Sequence, residues 1–111
     1  MHQLAYYIPM TDIRQARQAL VQRTLEGNGT ASHARRRAAF DNAEFEEPLH
    51  TLIQKVAKHS GHVTDDDIRA VRASGLSEDQ IFELVVCAAV GQATREYETA
   101  LLALAAVSKK E

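Results

Sequence analysis

Apolar residues return every three or four positions along most of this chain, the spacing of helices with one covered side. Ile13, Ala16, Leu20 and Val21 fall on one such stripe, and Arg14, Arg17 and Arg23 lie off it. Thr11 can cap this first helix, and Gly27-Asn28-Gly29 stops it. A second, shorter helix is expected from Thr30 or Ser32 to about Asn42. A third opens at Glu46-Glu47-Pro48, because proline at the first helical position leaves no orphaned N–H and carboxylates suit the positive end of the dipole. Leu49, Leu52, Ile53, Val56 and Ala57 then keep the spacing of a core-facing helix, which Gly61 ends. Thr64 with Asp67 makes a capping-box start for a short helix carrying Ile68 and Val71, stopped by Gly75. Ser77 with Gln80 makes a second capping box, opening a helix expected from Glu78 to about Val107. No strand, hairpin or internal repeat is visible.

The long helix is apolar nearly all round in its first half, through Leu84, Val85, Val86, Cys87, Ala88, Ala89 and Val90. Its second half is amphipathic, with Ala93, Tyr97, Ala100, Leu101 and Leu104 on one stripe. A core helix in so small a chain rarely finds enough neighbours for its whole circumference. Subunit contacts are therefore expected, most simply a homo-oligomer, a dimer or trimer, joined through apolar helix faces.

The 111 residues allow one domain. The expected divisions are an N-terminal arm (1–10), N-terminal helices (11–45), a helical core (46–107) and a frayed tail (108–111). The chain is 45% hydrophobic yet only 5% aromatic, so Ala, Leu and Val carry the core, which suits close-packed helices. Thirteen Lys+Arg against fifteen Asp+Glu leave a net charge of −2, which argues against nucleic acid as a partner. The triplet Arg35-Arg36-Arg37 accordingly reads as a solvated helix face. One cysteine, Cys87, excludes an intrachain disulfide and a Cys-rich metal knot. No leader-like segment and no membrane-length apolar run is found, so the expectation is a cytoplasmic protein with no membrane partner.

Two segments carry a resemblance: Ala73-Ser74-Gly75-Leu76-Ser77-Glu78-Asp79-Gln80-Ile81, and Glu83-Leu84-Val85-Val86-Cys87-Ala88-Ala89-Val90. With the helix before them, residues 47–104 resemble the carboxymuconolactone decarboxylase and alkyl hydroperoxidase (AhpD-like) superfamily. The resemblance implies an all-α bundle of about five helices with an AhpD-like core. In that superfamily's peroxidase branch a Cys-x-x-Cys motif precedes the segment, with a histidine four residues on and a glutamate about one helix earlier. Anchored on Gly75, the cysteine positions hold Ser60 and Val63, the histidine position holds Asp67, and the glutamate falls at Pro48 beside Glu47. Thiol peroxidase chemistry needs an attacking thiolate and a resolving thiol, and this chain has neither at those positions. The decarboxylase branch lacks the dithiol too, but it typically keeps the histidine.

The resemblance thus makes Glu47, Ser60, His62 and Asp67 the candidate catalytic residues. Histidine titrates near neutral pH and suits general acid–base work. His59 and His62, with Asp65, Asp66 and Asp67 following, are weak candidates for a metal; helix-end electrostatics explains the same residues, and no metal or cofactor is expected. Cys87 reads as a structural residue with a raised pKa. Tyr6, Tyr7 and Tyr97 read as packing residues with polar tips. Two functions follow. The first is a non-redox, oligomeric, small-ligand-binding or interaction protein. The second is an enzyme using Glu47, His62 and Asp67 as an acid–base pocket on a small carboxylated or lactone substrate.

Overall fold

Helix α5 (Glu78–Lys110) is the spine on which the other elements are laid. They precede it in chain order as α1 (Met10–Glu26), α2 (His33–Phe40), α3 (Leu49–Lys58), a 3₁₀ turn (Ser60–His62) and α4 (Asp65–Ala73). The computed structural model describes residues 10–110, and the N-terminal arm with Tyr6 and Tyr7 lies outside them. Among the described residues there is no strand, so the protein is an all-α bundle of five helices. Also among them, no helix is long and apolar enough to cross a membrane.

The inward side of α5 presents Ile81, Leu84, Cys87, Ala88 and Gly91, all buried. These positions recur at helical spacing and meet Leu52, Ile53 and Val71, of which Ile53 and Val71 are fully buried. Each such aliphatic side chain contributes about 1.5–3 kcal/mol by leaving water. Gly91 marks the closest crossing. A Cβ there would lie 2.0 Å from the Phe40 carbonyl oxygen at the end of α2. Only glycine lets the two backbones approach so far. The Arg95 guanidinium, one turn on, donates to the same carbonyl.

Both capping boxes form. Asp67 N–H donates to Thr64 Oγ1 at 3.2 Å, and Thr64 N–H donates back to Asp67 Oδ2 at 2.9 Å. At α5, Gln80 N–H donates to Ser77 Oγ at 3.1 Å and Ser77 N–H to Gln80 Oε1 at 3.0 Å. Gly75, at φ 114°, turns the chain between the two helices.

Several local expectations are corrected. Helix α1 already includes Met10, so Thr11 is inside it and is not its cap. Pro48 is the N-cap of α3 and Leu49 its first helical residue. Helix α3 ends at Lys58, because the chain turns at His59 (φ −147°, ψ 55°) before Gly61 is reached. On α1, Leu20 is 54% exposed, whereas Arg17 is half-buried on the covered side. Arg17 reaches that side by laying its guanidinium over the Tyr97 ring, 4.0 Å from the centroid.

The molecule measures 54 × 31 × 25 Å, with a radius of gyration of 17.2 Å, where a closed domain of this length has about 13 Å. The second half of α5 contributes to this shape. Beyond half-buried Leu101, residues 102–108 are all exposed.

Candidate functional site

The four residues singled out by sequence sit around the connection from α3 to α4 and at the start of α3. The 3₁₀ turn carries Ser60 and His62, both exposed. It is closed by His62 N–H donating to the His59 carbonyl at 2.8 Å. The His59 and His62 rings stack, with centroids 5.6 Å apart and planes at 15°.

The two carboxylates are each engaged at a helix start. Glu47 accepts from Thr51 N–H and Oγ1, both at 2.8 Å. Those hydrogen bonds, side chain first and backbone second, hold its pKa below the ordinary value. Asp67 accepts from Lys55 Nζ at 2.9 and 3.0 Å, besides its capping-box bonds to Thr64. The Lys55 ammonium, then the Thr64 N–H, depress its pKa likewise. Both groups are therefore ionised acceptors at neutral pH, and neither is a reservoir of a transferable proton. Among the described residues no hydrogen bond links Glu47, Ser60, His62 or Asp67 to another member of the set, and no three His, Cys, Asp or Glu side chains gather as metal ligands.

Two other places carry more physical content. The first is a clasp that the sequence reading missed. Arg36, the middle arginine of the triplet, is only 4% exposed and is not a solvated residue. Its Nε donates to the Ala31 carbonyl at 3.0 Å and its Nη1 to the Gly27 carbonyl. Its Nε also stands 3.8 Å from the Glu83 carboxylate on α5. Glu83 in turn accepts from Thr30 Oγ1 at 2.6 Å, Thr30 N–H at 2.8 Å and Ala31 N–H at 3.1 Å. Burial pushes the Glu83 pKa up, but these donors and the Arg36 charge outweigh it and hold it below the ordinary value. Gly29 passes so close that a Cβ there would meet Glu83 Oε1 at 2.1 Å. The clasp thus ties the α1–α2 loop to the spine. One signal was available: Glu83 is the lone charge between Asp79 and Arg95, and an isolated charge in an apolar run needs a partner. Cys87, one turn further on, is 1% exposed, and its Sγ lies 3.5 Å from the Thr24 carbonyl. Burial raises its pKa; the Arg36 charge opposes that rise and the Glu83 charge adds to it.

The second place is α5 itself, where large apolar residues are exposed near both ends. Phe82 is 67% exposed, Leu102 73%, Leu104 63% and Val107 59%. Phe82 borders an apolar cleft of about 270 Å³, formed with Ile68, Ile81 and Val85. A larger groove, about 720 Å³, runs between α1 and the second half of α5 over Val21, Leu25, Phe40 and Leu101. Arg14, Arg17 and Arg37 line it together with Glu26 and Glu98, so both signs of charge are present, with cations in slight excess.

Comparison with known proteins finds no matching family model, no matching curated protein and no matching solved structure.

Proposed function

We propose that this chain is a non-redox member of the AhpD-like and carboxymuconolactone decarboxylase superfamily, acting as an oligomeric small-ligand-binding or interaction protein without thiol peroxidase activity. The observation that carries the reading is the uncovered apolar length of α5, on which Phe82, Leu102, Leu104 and Val107 all exceed half exposure. A small monomer leaves single apolar residues in water, but Leu102, Leu104 and Val107 are exposed together within two turns of one helix end, which marks a contact surface.

The chemistry points the same way. A peroxidatic thiolate needs a low pKa, access and a resolving thiol. Cys87 is buried, its pKa is raised, and it is the chain's one cysteine. The carboxylates at Glu47 and Asp67 are spent on helix starts.

Two measurements on the full chain test this reading. Light scattering after size exclusion is expected to give a mass at least twice 12.3 kDa. An alkyl-peroxide assay with a thiol recycling system is expected to show no turnover above a Cys87→Ala control. A monomer at tens of micromolar, or sustained peroxide consumption, contradicts it.

A further inference from the structure

We propose that α1 is a strap: from Asp12 to Thr24 it lifts off the second half of α5 while the rest of the bundle stays folded, and Leu25 with the Glu83–Arg36 clasp anchors its C-terminal end. The inference stands apart from the oligomeric reading, because it concerns how one chain holds its own first helix.

The burial pattern carries it. From Asp12 to Thr24 no residue is buried; Ile13, Arg17, Val21 and Thr24 are half-buried and the others are exposed. Leu25, at 7% exposure, is the first described side chain of α1 to enter the core. The next two helices are set differently. The eight residues of α2 bury Arg36, Ala39 and Phe40, and the ten of α3 bury Leu49, Leu52, Ile53 and Ala57. Burial of an apolar face is the main term that holds a helix in a fold, so about three and a half turns without a buried residue are held weakly.

The facing helix offers this stretch little to pack on. Beyond Gly91 no described residue of α5 is buried, and Tyr97 and Leu101 are only half-buried. Between the two helices runs the groove of about 720 Å³, with Val21 on the α1 side and Thr94 and Leu101 on the α5 side. A close-packed helix pair leaves no such space, and the side chains that border it forfeit dispersion contacts.

The polar fastenings are equally uneven. Arg17 holds the N-terminal part of the strap through its cation–π contact with Tyr97, 4.0 Å from the ring centroid. Among the described residues no ion pair joins α1 to another helix, although Glu98 borders the same groove as Arg14 and Arg17. The remaining links gather at the other end. Cys87 Sγ lies against the Thr24 carbonyl, Arg36 donates to the Gly27 carbonyl, and Glu83 accepts from the Thr30 and Ala31 N–H groups. Gly29 lies so close to Glu83 that a Cβ there would collide with it, which seats the α1–α2 loop directly on the spine. The loop therefore stays in place when the helix before it departs. Lifting uncovers Tyr97 and Leu101 and opens the groove as far as Phe40, so the strap governs access to it.

Native-state hydrogen exchange of the full chain, read amide by amide by NMR, tests the strap. Amides of residues 16–23, inside α1, report lifting, and those of residues 53–57 and 84–88 report opening of the core. The first group is expected to show protection factors at least about thirtyfold below the second, with the Ala31 N–H of the clasp in the slow group. Tyr97→Leu keeps an apolar side chain and removes the ring beneath Arg17; it is expected to speed exchange in 16–23 about two- to fivefold and to leave 53–57 unchanged. Protection in 16–23 within thirtyfold of the core overturns the strap, and so does equal acceleration of both groups in Tyr97→Leu. Exchange at Ala31 as fast as in α1 overturns the anchor at the clasp. None of these readouts depends on the mass of the particle, so their failure leaves the oligomeric reading standing.

Discussion

Replacing Gly91 by alanine separates the packing described for this fold from the intrinsic preference of its helix. Alanine is the better helix former by about 1 kcal/mol, so in open space the change would stabilise α5. Here the new Cβ would sit 2.0 Å from the Phe40 carbonyl oxygen and 2.7 Å from its carbon, and both are backbone atoms. Ordinary contact begins near 3.4 Å, so the end of α2 would have to retreat by about 1.4 Å. Such overpacking costs about 1–3 kcal/mol. The retreat also loosens the hydrogen bond that Arg95 donates to the same carbonyl, and a bond to a charged group is worth about 1.5–3 kcal/mol. Set against the helix gain, the net is about 1.5–5 kcal/mol of destabilisation. In thermal unfolding this is a fall in Tm of about 6–20 °C. Wild type and variant are compared at equal chain concentration, since association raises apparent stability. A Tm equal to or above that of the wild type would refute the crossing of α2 on α5.

Three further outcomes follow from the site chemistry. Glu83→Ala removes the anion facing buried Arg36 and the acceptor for Thr30 and Ala31, and is expected to cost about 3–5 kcal/mol in denaturant unfolding; Glu83→Gln, which keeps an acceptor, is expected to cost less. Glu47, Asp67 and Glu83 all have folded pKa values below their ordinary ones. Each therefore contributes stability that is present above its unfolded pKa and lost as pH falls through the folded one, so denaturant midpoints should fall below about pH 4, less steeply in Glu83→Gln. Cys87 should resist an aromatic disulfide reagent in the native protein and react at once when unfolded, and rapid native labelling would contradict its burial.

Where a signal was local, it was legible in the sequence. Thr64 with Asp67 and Ser77 with Gln80 need only three-residue spacing, and both capping boxes form. The all-helical class followed from periodicity and from a core of Ala, Leu and Val. Helix ends proved harder. Gly61 is an obvious stop, yet the backbone turns earlier, at His59. What depends on distant partners was hidden. Three consecutive arginines look alike in sequence, and only the fold buries Arg36 against a glutamate on another helix. Likewise the all-round apolar character of α5 announced contacts on every side without saying which side the bundle itself would cover. Of the candidate residues, Asp67 had a structural role readable from its spacing, and that role is what its hydrogen bonds express.

The central claim is that the uncovered face of α5 belongs against another protein surface, supplied by a second copy. Sedimentation equilibrium of the wild-type chain, from about 1 to 100 micromolar, addresses it directly. A species of at least two chains is the predicted result. A single species of 12.3 kDa across that whole range would contradict it.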